Sequence, residues 1–497
     1  MHELFAALRH RAANTGGALA FDDGTTRLDF AGLAGRVAAA AEALRPLDPT
    51  AIVGVLGGNR VESVIAQLAA WHAGKMAVPL PPFFSIPQLR LLAADAGLSL
   101  ILAAPGAIET ARQLDLPVIP ISDRIAAWPE PAVIGAGQII YSSGTTGQPK
   151  GVLFAGGQLL WSARALSDAM LATMADAYFS VLPLALLLET LCAILIPILA
   201  GASVRFEPAL AAGLGDIDGG AMAMAVALSR PSCMVLVPHL LAEWVRAITR
   251  GGPRPPDSLR FVAVGGAPLA PVLAEKAWRL GIPVHEGYGL SECGSVVALN
   301  RPGERKPGTV GKPLTGLDVT VRDREIVVTG PPVMDGYLNS PRIRKAWRTG
   351  DIGEIGADGY LTVNGRRDHI LVTPLGRNIN PEWIEALLTA DLRVACSLVT
   401  HVTGPHLTAL LVPSPSEEAW FDCAAPEDIG ALIEICCAEA PYYAVPRHAV
   451  VVPARELIGR GLFTASGRLR RREVLDSDLL AHAKAVPVSA AARELAQ

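Results

Sequence analysis

The sequence has few charged residues and little excess of either sign. Charged residues make up 18% of its 497 residues, and the net charge is −4 at pH 7. Acidic and basic residues are interspersed, so the chain lacks the basic surface that nucleic-acid binding requires. Because 51% of the residues are hydrophobic, the composition excludes a disordered chain and predicts a well-buried globular protein. The length exceeds what one core usually supports, so we expect two or more domains.

Cysteine pairs with CxxC spacing and long uncharged apolar runs are also missing. The seven cysteines form no CxxC pair and no Cys/His cluster, so a zinc site is not expected. The first residues lack a signal-peptide pattern, and with an odd number of cysteines this predicts a cytoplasmic location. The most apolar stretch, 181–204, is interrupted by Glu189 and two prolines. Its uncharged part is too short to cross a bilayer, which predicts a buried helix and no transmembrane segment.

Strand and helix patterns alternate over residues 1–300. The run 51–57 is apolar and β-branched, as in a buried strand, whereas 61–74 has helical spacing. This order predicts an α/β fold of mostly parallel sheets flanked by helices. From about 315 to 367, short alternating strands predict a β-rich subdomain. The strand and helix patterns after residue 369 predict a small α+β domain at the C-terminus.

A loop rich in glycine and hydroxyl groups follows the strand pattern at 138–142. Residues 141–151 read Tyr-Ser-Ser-Gly-Thr-Thr-Gly-Gln-Pro-Lys-Gly. Glycines let the backbone N–H groups approach an anion, hydroxyls add donors, and Lys150 adds positive charge. The order differs from that of the P-loop, because no glycine precedes Lys150 and no Ser or Thr follows it. We therefore expect a cradle for a polyphosphate.

This segment resembles the signature of the adenylate-forming superfamily, which includes acyl- and aryl-CoA synthetases, adenylation domains of peptide synthetases and luciferases. The resemblance implies that the loop holds the β- and γ-phosphates of ATP and that Lys150 acts in catalysis. Thr146 is also implied to ligate Mg²⁺. The nucleotide-binding residues implied in this loop are Ser142, Ser143, Gly144, Thr145, Thr146 and Gly147.

Two further segments match the family in its order. Gly-Gly-Ala-Pro-Leu at 265–269 resembles the segment that borders adenine and the acyl pocket, and Gly-Tyr-Gly-Leu-Ser-Glu at 287–292 matches the next block. The Tyr288 ring is implied to lie against adenine, since a flat π face suits a purine. Glu292 is implied to be catalytic and to bind Mg²⁺, which prefers oxygen ligands and bridges phosphates. The other implied nucleotide contacts are Gly266, Ala267, Gly287, Gly289 and Ser291, and the implied acid contacts here are Gly266, Gly289 and Cys293.

The next motif concerns the ribose. Trp-Arg-Thr-Gly-Asp at 347–351 resembles the block whose aspartate, here Asp351, accepts hydrogen bonds from both ribose hydroxyls. An Asx-turn at the same position is the alternative. Arg366, in Gly-Arg-Arg-Asp at 365–368, is implied to contact ribose or phosphate.

The same four residues match the interdomain hinge of the family, with Asp368 as the pivot. The implied domains are 1–367, which binds ATP and the acid, and a mobile domain at 368–497. A hinge is needed because one cleft must serve two reactions. Rotation would bring the segment 374–378 into the cleft, where Gly376 leaves room for the thiol arm of coenzyme A.

The last motif departs from the family pattern. Thr-Ala-Ser-Gly-Arg at 464–468 lies where relatives usually end in Ser/Asn-Gly-Lys, and that lysine bridges the carboxylate and the α-phosphate. Arg468 keeps the charge and binds both groups well, although its planar fork has a different geometry. We expect a functional catalytic arginine, with adenylation slowed roughly 10–100-fold if one charged hydrogen bond is lost. A catalytically impaired homologue that binds acyl-adenylate is the alternative.

The resemblance implies activation of a carboxylic acid by ATP as acyl-AMP, with pyrophosphate release, and then transfer to a thiol. The aliphatic segment Leu182–Glu189 lies where relatives place the gate of the acid pocket, and it makes Leu186 an implied acid contact. An apolar pocket favours a fatty or other hydrophobic acid, whereas leucines that only pack the core are the alternative. Only about 30 residues follow Arg468, too few for a carrier domain. The expected acceptor is therefore coenzyme A, with a separate carrier protein as the alternative.

Overall fold

The computed structural model describes residues 1–143, 149–212, 218–341, 346–372, 377–402, 406–463 and 469–487, with the backbone alone at 142, 143 and 149. Within these ranges, every helix is too short or too polar to cross a membrane.

The first part of the chain alternates strands with helices, as predicted. Its helices are α1 (His2–Asn14), α2 (Phe30–Glu42), α3 (Val61–His72), α4 (Ile86–Ala96) and α5 (Ile108–Arg112). Its strands are β1 (Leu19–Asp22), β2 (Arg27–Asp29), β3 (Ile52–Leu56), β4 (Met76–Leu80), β5 (Leu98–Ala103), β6 (Val118–Pro120) and β7 (Gly137–Ser143).

The same alternation continues to residue 313. The helices are α6 (Gly156–Met170), α7 (Leu187–Thr190), α8 (Ile196–Ala200), α9 (Pro208–Ala212), α10 (Gly219–Ser229), α11 (Pro238–Thr249) and α12 (Pro271–Arg279). The strands are β8 (Pro149–Ala155), β9 (Ala177–Ser180), β10 (Ser203–Phe206), β11 (Cys233–Leu236), β12 (Phe261–Val264), β13 (Val284–Tyr288), β14 (Ala298–Leu299) and β15 (Lys312–Pro313).

The remaining elements are mostly strands up to residue 366 and mixed after it. The strands are β16 (Asp318–Arg322), β17 (Glu325–Thr329), β18 (Gly336–Tyr337), β19 (Ala346–Ile355), β20 (Leu361–Arg366), β21 (Leu371–Val372), β22 (Asn378–Ile379), β23 (Val394–His401), β24 (Leu407–Pro413), β25 (His448–Val451) and β26 (Lys484–Ala485). The helices are α13 (Pro381–Thr389), α14 (Glu418–Cys423), α15 (Pro426–Cys436), α16 (Ala454–Gly459) and α17 (Arg471–Leu475).

Two large sheets form the centre of the molecule. One has the order β18-β8-β7-β4-β3-β5-β6, and the other has the order β15-β14-β13-β12-β11-β9-β10-β1-β2. In the first sheet, the neighbouring strands β7, β4, β3, β5 and β6 pair in parallel. In the second sheet, the neighbouring strands β13, β12, β11, β9, β10 and β1 also pair in parallel. Helices cover the sheets, so strands such as β3 and β11 are apolar on both faces. The prediction of mostly parallel sheets flanked by helices is confirmed.

The apolar stretch 181–204 is buried as predicted, but less of it is helical. The helix begins at Leu187 in α7, widens into a π-helical turn at Leu191–Leu195 and continues through α8 to Ala200. Pro197 has no N–H to donate to the preceding turn, which favours such a widening. Residues 181–186 precede the helix as a loop, which leaves their side chains free to form the wall of a cavity.

The β-rich subdomain is an antiparallel sheet with the order β16-β17-β19-β20. Strands β23 to β26 form the sheet of the C-terminal part, with α13 packed on β23. This part touches the large domain along α11, where the Arg246 guanidinium donates 2.7 Å to Ser414 Oγ and also contacts the carbonyl of Leu392. A domain boundary between 367 and 368 stays a prediction.

Candidate active site

A cavity of about 2060 Å³ lies between the large domain and the C-terminal part. It opens where β11, β12 and β13 end and their following loops begin, at 237–239, 265–271 and 289–292. Ligands of parallel sheets usually bind at the carboxyl ends of the strands. The position therefore marks this cavity as the candidate active site.

The cavity gathers most of the residues that the sequence motifs single out. Its lining includes Lys150, Leu186, Gly266, Ala267, Gly287, Tyr288, Gly289, Ser291, Glu292, Asp351, Arg366 and Asp368. These residues come from five motifs and from the aliphatic segment 182–189, and folding brings them to one surface.

The polar end of the cavity is centred on Asp351. Strands β19 and β20 pair so that Asp351 lies opposite Arg366, and Arg366 Nε is 3.4 Å from Asp351 Oδ1. The Tyr288 hydroxyl donates a hydrogen bond of 2.5 Å to Asp351 Oδ2. Burial raises the pKa of Asp351, while the Tyr288 hydrogen bond and the Arg366 charge oppose that rise. Three of the predicted nucleotide contacts thus form one cluster.

A second polar group surrounds Glu292, which lies on a 3-10 turn just after β13. The Tyr337 hydroxyl donates 2.8 Å to Glu292 Oε1. Lys150 Nζ is 5.3 Å from the centre of the Tyr337 ring, close enough for a cation–π contact. Tyr337 reaches this position because β18 pairs with β8, the strand that carries Lys150. Sequence analysis did not identify Tyr337, which lies outside the recognised motifs.

Glu292 fits a magnesium site only if phosphate oxygens complete it. Within the described ranges, no three His, Cys, Asp or Glu side chains lie close enough to hold a metal ion. Mg²⁺ is usually bound by one or two carboxylates together with substrate phosphates. A single carboxylate in a cavity that Lys150 also lines has the chemistry expected of such a site.

Glu286 also lines the cavity, although no motif pointed to it. It is 7% exposed, and its Oε1 has no hydrogen-bond partner among the described residues. Burial raises the pKa of Glu286 to about 7, with Arg305 opposing and Glu275 adding to the rise. Glu286 and Tyr288 are two residues apart on β13, so their side chains share one face of the strand.

Gly289 and Gly365 occupy places where no side chain fits. A Cβ on Gly289 would lie 1.7 Å from the carbonyl oxygen of Ser295. Gly365 has a φ of +104°, and its Cβ would lie 2.5 Å from the side chain of Asn380, which caps α13. Glycine at these positions lets the loop after β13 and the start of the C-terminal part pack closely.

The predicted pivot Asp368 lies on a 3-10 turn, Arg367–His369, between β20 and β21. Arg367 forms an ion pair of 3.2 Å with Glu325 in the β-rich sheet. His369 Nδ1 is 2.7 Å from Glu382 Oε1 on α13. The turn is therefore tied to both parts of the molecule through the residues beside Asp368.

The other end of the cavity is apolar. The segment 182–188 supplies Leu182, Ala185, Leu186, Leu187 and Leu188, the helix after it supplies Cys192, and the facing strands and loops supply Val235, Leu236, Val237, Ala263 and Val264. The expectation that the segment faces a pocket fits this lining, but several of its leucines also pack in the core.

The prediction that Cys293 contacts the acid is wrong. Its side chain is fully buried in an apolar cluster with Val297, Ile326 and Val328, and it does not reach the cavity lining. The 3-10 turn at 291–293 directs Ser291 and Glu292 toward the cavity and Cys293 toward the β-rich sheet.

Some predicted site residues lie outside the described residues. They are Gly144, Thr145, Thr146, Gly147, Gly376 and Arg468. The side chains of Ser142 and Ser143 are also outside the described part of the structure. On either side of the loop, Tyr141 and Lys150 both line the cavity.

Comparison with known protein sequences adds three findings. A family model described as AMP-binding enzyme matches residues 8–338. The chain is similar to a feruloyl-CoA synthase of an Amycolatopsis species, with 31% identity over 428 residues that cover 80% of this chain and 85% of the relative. It is 28% identical to a long-chain-fatty-acid–CoA ligase of Mycobacterium bovis over 68% of this chain and 63% of the relative.

The fold is also similar to that of a solved structure. A crystal structure of an anthranilate CoA ligase in complex with anthranoyl-AMP superposes with a TM-score of 0.82 at 20% identity. The superposition covers 97% of this chain and 98% of the other. At this identity the likeness concerns the fold.

Proposed function

This chain belongs to the family of AMP-binding enzymes, and we propose that it activates a hydrophobic carboxylic acid with ATP and passes the acyl group to coenzyme A. The family and its CoA-ligase relatives support an AMP-forming acid–CoA ligase. One observation carries the finer proposal: the charged and aromatic residues around Asp351 and the aliphatic residues at 182–188 line one cavity.

The polar end suits a nucleotide. In this proposal Asp351 accepts the ribose hydroxyls, the Tyr288 ring lies against adenine, and Arg366 and Lys150 face the phosphates. A buried carboxylate can accept two such bonds at once. The arginine and the tyrosine that now contact Asp351 hold it in place before ATP binds, which lowers the cost of ordering the site.

The apolar end suits the acid. Its described lining is aliphatic at 182–188 and along β11 and β12, so the acid would leave water for hydrocarbon contacts. The relatives act on aryl and on fatty acids according to their names. We infer a fatty acid as the preferred substrate, because the wall at 182–188 and along β11 and β12 is aliphatic and suits a hydrocarbon chain.

In the first proposed step, a carboxylate oxygen of the acid attacks the α-phosphorus of ATP. The bond to the bridging oxygen breaks, and pyrophosphate leaves with that electron pair. Positioning and charge stabilisation supply the rate enhancement, because no covalent intermediate with the protein is needed. Mg²⁺, held by Glu292 and the loop at 142–147, would neutralise charge on the phosphates.

In the second proposed step, the thiolate of coenzyme A attacks the acyl carbonyl carbon. AMP leaves with the electrons of the C–O bond, and the thiol proton passes to solvent. Rotation about Asp368 would replace Arg468 by the segment around Gly376 between the two steps. The ties from Arg367 and His369 to opposite parts of the molecule suit a pivot at this turn.

A pyrophosphate-release screen with fatty, aryl and amino acids tests the proposal. We expect release with ATP and fatty acids, weaker release with aryl acids and none with amino acids. Adding coenzyme A should then convert the acyl-AMP to the thioester, which mass spectrometry would detect. A chain that binds ATP but releases pyrophosphate with none of these acids would refute the proposed activity.

A further inference from the structure

A buried polar cluster lies directly behind the apolar wall of the cavity. The Glu189 cluster, as we name it, consists of Glu189, Tyr178, Ser180 and Asn59. All four residues are at most 4% exposed. None belongs to a nucleotide motif, and none lines the cavity.

The hydrogen bonds of the cluster converge on one carboxyl group. Ser180 Oγ donates 2.5 Å to Glu189 Oε1, and the Tyr178 hydroxyl donates 2.9 Å to Glu189 Oε2. Asn59 Nδ2 in turn donates 3.0 Å to Ser180 Oγ. Both oxygens of Glu189 are thus used, and α7 is joined to the end of β9.

The same cluster also fixes the backbone of the cavity wall. Asn59 Nδ2 donates 2.7 Å to the carbonyl of Leu182, and Asn59 Oδ1 accepts 3.0 Å from the N–H of Leu184. Thr190, the residue after Glu189, donates 3.2 Å from Oγ1 to the carbonyl of Leu184. The loop before α7 is therefore held by Asn59 from a distant segment and by Thr190 from α7 itself.

A buried carboxyl group is a costly way to hold a loop. The groups that contact Glu189 are hydroxyls, and no cation lies among its described partners. Burial raises the pKa of Glu189 to about 8, and its hydrogen bonds from Ser180 and Tyr178 offset part of that rise. Apolar side chains of the same size would fill the space at lower cost. The simplest reason for a carboxyl group at this place is the geometry that its two oxygens impose on Ser180 and Tyr178.

We propose that Glu189 is a positioning residue for the acid: through Ser180 and Tyr178 it fixes the wall from Ala185 to Cys192 and so sets which acids fit. The residues on either side of it, Leu186 to Leu188 and Cys192, line the cavity. A small shift of this wall changes hydrocarbon contacts along the acid without touching the nucleotide end. The inference rests on the proposed function, since it concerns the acid-binding part of the same cavity.

The test compares Ser180→Ala with Ser232→Ala. Both serines donate to a buried carboxyl group beside β9, at 2.5 Å to Glu189 and at 2.6 Å to Asp176. Ser180 lies at the end of β9, near the cavity. Ser232 is at the other end of that strand, where its Oγ accepts a hydrogen bond from the N–H of Ala177. The readouts are kcat/KM for a short, a medium and a long saturated acid, and the KM for ATP.

We expect Ser180→Ala and Glu189→Gln to change the ratio of kcat/KM between long and short acids about tenfold, the effect of a methylene or so in a fitted pocket. The KM for ATP should not change, and Ser232→Ala should keep the wild-type ratio. If Glu189→Gln fails to fold, Ser180→Ala and Tyr178→Phe decide, because Tyr178→Phe removes one hydrogen bond of the cluster and Ser180→Ala removes two.

Two outcomes would overturn the inference in distinguishable ways. An active Ser180→Ala enzyme with the same acid preference as Ser232→Ala would show that the cluster is merely structural, even if its melting temperature falls. Wild-type protein that releases pyrophosphate with no acid would refute the proposed function, and this inference with it.

Discussion

The two ends of the cavity are built on different principles. At the polar end, recognition rests on individual groups. Asp351 has Arg366 and Tyr288 as partners, and Glu292 has Tyr337. At the apolar end, many similar aliphatic side chains line the cavity, so we expect the position of the wall to matter more than any single group. Single substitutions should therefore cause large losses at the polar end and graded changes of preference at the apolar end.

The largest effect is expected for Asp351→Ala. If the ribose hydroxyls bond Asp351, the variant loses two charged hydrogen bonds of about 1.5–3 kcal/mol each. We expect kcat/KM for ATP to fall roughly 100-fold or more, with little change in the KM for the acid. Steady-state kinetics with each substrate varied in turn would measure this.

The matched control is Asp358→Ala in the same β-rich sheet. Asp358 lies at the turn between β19 and β20 and pairs with Lys306 on the surface, away from the cavity. It should leave the KM for ATP unchanged. Equal losses in both variants would mean that the sheet, rather than the carboxylate, is what ATP binding requires.

A smaller loss is expected for Glu292→Gln. The amide keeps the size of the side chain and can still accept the Tyr337 hydrogen bond, but it loses the charge that would hold Mg²⁺. We expect kcat at saturating ATP to fall about 10- to 100-fold, together with a higher magnesium requirement. Glu304→Gln, which changes a glutamate paired with Lys312 outside the cavity, should behave as wild type. An unaltered magnesium titration in Glu292→Gln would remove Glu292 from the metal site.

The polar end could be predicted largely from the sequence because its residues lie in short motifs. Asp351, Arg366 and Tyr288 each belong to such a motif, and the pairing of β19 with β20 then sets Asp351 opposite Arg366. Tyr337 escaped prediction because it reaches Glu292 through a two-residue strand, β18, whose pairing no local pattern indicates. Cys293 was placed wrongly because neighbours on a tight turn point in different directions.

The apolar end could be predicted in character but not in shape. The aliphatic run at 182–188 indicated a hydrophobic surface, and its leucines do line the cavity. What fixes that surface is Asn59 on one loop and Ser180 on a strand more than a hundred residues later. A hydrogen-bond cluster between such distant segments leaves no periodicity or motif, so only the folded structure reveals it.

At the apolar end we expect a graded effect from Leu186→Ala. Leu186 is half-buried in the cavity wall, and the variant removes several carbon atoms from a surface that would contact the acid. We expect kcat/KM for the best acid to fall about tenfold while bulkier acids gain in relative rate. Competition between acids of different size would measure the shift. The control Leu171→Ala alters a leucine that is 59% exposed, and a similar loss there would contradict a specific role for Leu186.

The smallest effect is expected from pH, and it should appear at one end of the cavity only. Because the pKa of Glu286 is raised to about 7, this group is neutral below that pH and ionised above it. An ionised Oε1 is the stronger acceptor for a nucleotide group bound against the same face of β13, so the KM for ATP should fall about two- to threefold as pH rises through 7. The KM for the acid should not follow. The phosphates of ATP titrate in every variant, so the difference between wild type and Glu286→Gln isolates this contribution. Identical profiles for the two proteins would mean that Glu286 does not face the nucleotide, and that the polar end extends less far along β13 than its lining indicates.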